Sequence, residues 1–546
     1  MSNSNFNRRQ FLQSALCSGL LYGTGSLPQF VSTASAAPAA LQNRILCNLF
    51  LSGGPDMRHL VVPAYDSAPD SFGNKYWTYR TRSHQIGTDF AAQTAQQRWE
   101  EDYYPITVNG QNWSSGLANV GGSNGGQTFG IWREAGWLID MFRAGNVAMI
   151  FNAVGGTNRA HDLSSLMLNQ GNLLSGLNDR GRSGWGGRLA RSAGGNSISL
   201  TSSPSMFAFG PLGAAPNFDP NRIDNRDLLS VENSRSIGLF DFNINNNQFG
   251  DRDDKMARAV KSYYAGLRQE QIAQVYEKFT DHESKLREFG DLIQGRLETV
   301  PIPTLIEALY ANVDGINIDP NNAGSNGRRV LRSTSLGRQI RNLYDMIVSN
   351  DLIDPRVLSM SVGGWDSHGN QRQVHEILLS DPNNTAVDRG IESELKDIFG
   401  GKYGSNPSDS AALHGAFSAL YASLPNQADR NKIVLTVAGE FGRQIRDNGG
   451  AGTDHGKGNL MLVIGNGTNG GVYGEMFPDD EVDKYDDERQ RSPDIDPRSE
   501  IDTFFSEVCD WVQPGSGTSV FPRMAPGYSG EAPIIESPGM FSNLMA

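Results

Sequence analysis

Cysteine is nearly absent from this 546-residue chain, with three in all. Cys17 sits near the start, and Cys47 and Cys509 lie within apolar runs. So few thiols exclude a disulfide framework and a cysteine-built zinc cluster. Cys47 and Cys509 are expected as buried core residues, with a single bridge between them as the alternative. Positive charge is also short. The 47 Lys and Arg face 60 Asp and Glu, leaving a formal net charge of −13. That argues against a nucleic-acid binder, whose surface must neutralise phosphates. No unbroken apolar run reaches the roughly 18 residues that a membrane span needs, so no stable span is expected in the mature form. Histidine is scarce too, with eight in the whole chain, so where the histidines fall carries information.

Glycine is the residue in excess, at 62, and implies many loops and tight turns. Residues 1–36 are best set apart from the fold. Arg8 and Arg9 precede a moderately apolar stretch broken by Gly and Pro, and "ASA" ends at Ala36. This is the charged, apolar and small-residue order of a signal peptide, and the arginine pair makes it the twin-arginine type. It implies the twin-arginine export machinery as a partner and a periplasmic or secreted location.

Five apolar runs predict buried strands: "RILCNLFLS" (44–52), "VAMIFNAV" (147–154), "VLSMSV" (357–362), "KIVLTVA" (432–438) and "LMLVI" (460–464). Helical periodicity covers 129–145, 161–171, 251–297, 335–350, 409–424 and 500–512. Residues 65–126 read as polar and irregular, and 196–250 resist assignment. Strands alternating with helices predict an α/β fold on a mainly parallel sheet. Such sheets carry functional residues in loops beyond the C-terminal ends of their strands.

Those loops hold the chain's ligand-type residues. The first strand leads to Asp56, with His59 three residues on. The second leads to Thr157, Asn158, Arg159 and His161. The third leads to Asp366, His368 and Gln371. The fourth leads to Glu440 and Arg443, and the loop after it contains "GTDHGKGN" with Asp454 and His455. Taken singly, an Asp after Gly is a turn residue and a lone His a satisfied polar group. Taken together, carboxylate and imidazole in glycine turns on one sheet edge form the donor mix of a Zn, Mn or Fe site.

"LFLSGGPD", "NRAH", "GGWDSHGNQ" and "GEFGRQIRDNGGAGTDHGKGNLMLVIGNGTNGGVYG" occur in this order. With the twin-arginine leader they resemble the DUF1501 family of exported bacterial proteins. The resemblance spans nearly the whole mature chain and is weakest over about 196–330. It implies one large alkaline phosphatase-like α/β domain over 37–546, with long insertions at about 65–126 and 196–330. In that superfamily, which includes phosphatases and sulfatases, it implies divalent metal ligation by Asp56, His161, Asp366, His368, Asp454 and His455. Two cations about 4 Å apart would activate the nucleophile and hold the leaving oxygen of a small anionic ester. Arg159 or Arg443 would clamp the anion through guanidinium N–H donors. Members usually carry Ser where this chain has Ala160, so Thr157 is the hydroxyl expected to serve, with Ser164 also near. Zinc, manganese and calcium are the candidate metals. Three functions are therefore open: a metal-dependent hydrolase of phosphate or sulfate esters, a non-catalytic secreted binding or structural protein on a degenerate hydrolase fold, or a metal enzyme of another reaction type.

Overall fold

A computed structural model describes residues 44–87, 93–107, 128–201, 203–215, 217–235, 289–311, 331, 334–372, 390–402, 414–486 and 493–546. Residues 1–36, where a leader is expected, residues 251–288 of the helix expected at 251–297, and residues 409–413 lie outside them. A nine-stranded sheet organises the fold. Its strands are β1 (Ile45–Leu51), β2 (Val147–Val154), β3 (Asn196–Ser199), β4 (Leu228–Ser230), β5 (Pro355–Val362), β6 (Ile433–Ala438), β7 (Asn459–Ile464), β8 (Gly471–Tyr473) and β9 (Ser499–Glu500). The spatial order is β8-β2-β7-β6-β1-β5-β3-β4, with β9 paired to β2. Strand β1 is parallel to both β5 and β6. β7 alone runs against its neighbours β6 and β2. The expected mixed, mostly parallel sheet flanked by helices is what the chain forms.

Strand β1 explains the sheet's position. All seven of its residues are buried, as a strand covered on both faces requires. Successive side chains alternate between faces. Ile45, Cys47, Leu49 and Leu51 join one core with Trp137, Ile340, Leu395 and Phe417. These belong to helices α1 (Gly136–Arg143), α4 (Thr334–Val348), α5 (Ile391–Phe399) and α6 (Ala416–Ser423). Leu46 and Phe50 join the other core with Leu168, Leu189, Phe504 and Cys509, from α2 (His161–Gln170), α3 (Trp185–Ala193) and α7 (Ile501–Val512). Cys47 and Cys509 thus sit in the cores on opposite sides of the sheet, and both are free thiols.

Two expectations need correction. Residues 129–145 are not one helix: Thr128–Trp132 is a strand, and the helix begins only at Gly136. Phe129, Gly130, Ile131 and Trp132 are all buried, and Gly130 packs under the Trp99 ring, where a Cβ would lie 2.4 Å from it. This strand pairs antiparallel with Val61–Pro63 and Tyr103–Thr107 in a small second sheet. Nor is 65–126 irregular where it is described. Short helices occupy Phe72–Tyr79 and Ala95–Asp102, started by Ser71 and Thr94. Their side-chain oxygens accept from the Asn74 and Gln97 amides, satisfying N–H groups that a short helix leaves open. No helix among the described residues is long and apolar enough to cross a membrane.

Candidate metal centre

The C-terminal ends of β1, β2, β5 and β6 share one sheet edge. Because β7 is reversed, its start lies there too, and the loop from Gly439 to Gly458 stays at that edge. The β1 turn forms the floor. Gly53 (φ +123°) passes so close to the loop after β5 that a Cβ would lie 2.5 Å from the Asp366 amide nitrogen. Gly54 (φ +65°) does the same against the Phe441 ring, at 2.1 Å. Only glycine fits either position. The ring of Phe441 in turn lies 4.4 Å from that of His455 and 5.0 Å from that of His161, centroid to centroid.

Three histidines converge above this floor, and each has Nδ1 committed. In His455, Nδ1 lies 2.8 Å from the Arg159 carbonyl oxygen. In His368 it lies 2.9 Å from Asp454 Oδ1. In His161 it lies 2.9 Å from Glu440 Oε1. A carbonyl or carboxylate oxygen only accepts, so each Nδ1 donates there. In a neutral ring that leaves Nε2 as a lone-pair ligand; without a cation, an Nε2 in contact with Asp366 has to carry a proton of its own. The three Nε2 atoms gather at Asp366. That of His455 lies 2.9 Å from Asp366 Oδ1 and 2.9 Å from His368 Nε2. That of His368 lies 3.0 Å from the same oxygen, and that of His161 is 3.5 Å from Asp366 Oδ2.

Asp366 is held ionised. Burial would raise its pKa, but contacts to His455 and Arg443, and the charge of Arg443, outweigh that and hold it at about 2. Asp454 is lowered by its hydrogen bond from Asn448, against the effect of burial, and by its contact with His368. Asn448 also donates to the His368 carbonyl at 2.8 Å, tying the two loops together.

These donors fit a divalent cation. Imidazole nitrogens directed at an ionised carboxylate need positive charge among them, supplied by a proton on Nε2 or by a metal ion. His161, Asp366 and His455 each offer an atom within 4.8 Å of the others. The spacings to Asp366, 2.9 Å from His455 and 3.5 Å from His161, bracket the edge of a tetrahedral zinc site, about 3.3 Å for bonds of about 2.0–2.1 Å. Hydrogen-bonded oxygens behind each ring are the usual means of orienting a ligating histidine. Glu440 Oε2 is also buried without a hydrogen-bond partner. Three imidazoles and one carboxylate suit zinc, iron or manganese better than calcium, which takes oxygen donors.

The side chains of the remaining sequence candidates are engaged by other partners. Asp56 is buried against Arg80 and accepts from Gln371 Nε2 at 2.7 Å. Burial alone would raise its pKa, but the Arg80 charge lowers it. His59 is buried beside Glu392, at 2.7 Å, and stacks on His84. Arg443 is buried, with its guanidinium turned to the carbonyls of Gly53, Gly54, Trp365 and Thr453 and to Asp366. It binds loops together rather than facing solvent. Arg159 pairs with Asp494. The Thr157 hydroxyl turns to the sulfur of Met167, 3.5 Å away, and buried Ser164 donates to the Asn158 carbonyl. Ala160 is the N-cap of α2, with no side-chain oxygen to accept from the first turn. Sequence reasoning passed over Asn448, Asp494 and the backing role of Glu440. Only the crowding of polar residues around "DNGGAGTDHG" hinted at the first.

Residues 400–494 match the family model described as a protein of unknown function, DUF1501. No curated protein and no solved structure matches the chain.

Proposed function

We propose that this chain is a metal-dependent hydrolase of phosphate or sulfate esters, with His161, Asp366, His368 and His455 holding a divalent transition metal. The observation that carries the reading is the convergence of three imidazole Nε2 atoms, each backed at Nδ1 by an oxygen, on one ionised carboxylate. Such a metal supplies Lewis acidity toward an anionic ester oxygen. The chain's own residues do the rest. Glu440, Asp454 and the Arg159 carbonyl orient the rings, Arg443 fixes Asp366, and Phe441 closes the floor against water. Thr157 and Ser164 are turned to other partners, so water is the attacking group. The leader expected at residues 1–36 would carry the folded protein out of the cytoplasm, in keeping with an alkaline phosphatase-like enzyme.

A second reading draws on a different observation. The donors come from three separate loops, after β2, after β5 and between β6 and β7, so a metal there would also staple the sheet edge of a non-catalytic protein. One experiment separates the two. Purified protein is analysed for metals and assayed with aryl phosphates and aryl sulfates in the presence of Zn²⁺, Mn²⁺ or Ca²⁺. Turnover that disappears in His455→Ala supports the hydrolase. Bound metal without turnover on any ester favours the staple. Protein with no metal, and melting unchanged by chelation, overturns both.

A further inference from the structure

Glu440 opens the loop after β6 and is completely buried. Its Oε1 accepts from the Gly53 amide at 2.9 Å and from His161 Nδ1 at 2.9 Å. Its Oε2 has no hydrogen-bond partner. Among the described residues its one charge contact is His161. Asp366, by contrast, has Arg443, and Asp494 has Arg159. A buried carboxylate with no cation beside it is costly, so the balancing positive charge is either a second proton on His161 or a cation beyond that ring.

We infer that Glu440 is the positioning residue of the centre: it fixes His161 with Nε2 turned toward Asp366 and balances a divalent cation's charge through that ring. This rests on the metal-site reading above. The same oxygen holds the Gly53 amide, so the residue also couples the β1 turn beneath Asp366 to the ligand ring. Metal affinity and the set of that turn then depend on one carboxylate.

The test is a Co²⁺ titration of the full chain, followed by the visible absorption of the bound ion. Glu440→Gln keeps an acceptor oxygen for both donors but removes the charge. Its metal-free form should melt close to wild type, while Co²⁺ binds about 10–100-fold more weakly. In a His161→Ala background, Glu440→Gln should have no further effect on affinity, because its influence passes through that ring. Glu440→Asp, which keeps the charge, should fall between wild type and Glu440→Gln. Wild-type affinity in Glu440→Gln, or an undiminished loss in the His161→Ala background, overturns the positioning role alone. A wild-type protein that gives no Co²⁺ spectrum overturns the metal site itself.

Discussion

His455 presents Nε2 to Oδ1 of Asp366 at 2.9 Å, while its Nδ1 is tied to the main-chain carbonyl of Arg159. In the proposed centre these two ligand-type atoms share a metal ion rather than a proton. His455→Ala removes one of them and is expected to lose bound metal. Chelation should lower the melting temperature of wild type and leave that of the variant nearly unchanged. A ligand held at 100 times its Kd stabilises the folded state by about 2.7 kcal/mol. Equal responses to chelation in the two proteins would refute the assignment.

Asp56 separates metal binding from stability. Its partner Arg80 is as buried as it is and also donates to the carbonyls of Gln444 and Ile445. Asp56→Asn strands that guanidinium, and breaking a buried pair from one side costs about 3–5 kcal/mol. Urea unfolding of the chelated protein should report that loss, with metal stoichiometry unchanged. Loss of metal without loss of stability would make Asp56 a ligand after all.

Gly54→Ala tests the floor. The substitution forces a Cβ into the Phe441 ring at a positive φ, for a combined cost of about 2–4 kcal/mol. Because Phe441 supports both His161 and His455, the variant should also hold metal more weakly. A variant that melts and binds like wild type would remove the turn from the site's construction.

Asp502, near the start of α7, offers a pH test away from the metal centre. Burial pushes its pKa up to about 7, against the opposing charge of Arg523. The folded state thus holds this proton more tightly than the unfolded chain does. The stability it contributes is full below the ordinary carboxylate range, near pH 4, and is lost as pH rises through about 7. Asp502→Asn cannot ionise. It should match wild type near pH 4, exceed it at pH 8 by up to about 4 kcal/mol, and flatten the profile between. Parallel profiles for the two proteins would contradict this.

What could be read from the sequence follows burial. Strands such as "ILCNLFL" are covered on both faces, so their apolar runs are unbroken and visible. The helix at Ala95–Asp102 buries only Arg98, so no apolar stripe announces it, and its capping box is the only local sign. For the site, glycine turns marked His161, Asp366, His368, Asp454 and His455, which the structure brings to one edge. Asp56 carries the same mark and differs only in having Arg80 beside it, a pairing set by tertiary packing. Arg443 likewise reads as a free cation until the carbonyls around it are known. Strand direction leaves no trace in an apolar run, so the reversal of β7 was invisible.

That reversal bears on how such a protein changes over time. β6 runs out to the edge and β7 returns from it, so one contiguous excursion, Gly439 to Gly458, delivers Glu440, Arg443, Asp454 and His455 with both ends rooted in adjacent strands. It falls within the 400–494 match, whereas His161 and Asp366 stand outside it on the scaffold. The excursion leaves and re-enters the sheet at adjacent strands, so its length can change without rethreading the sheet, while Arg443 and Phe441 anchor it to the turns after β1 and β5.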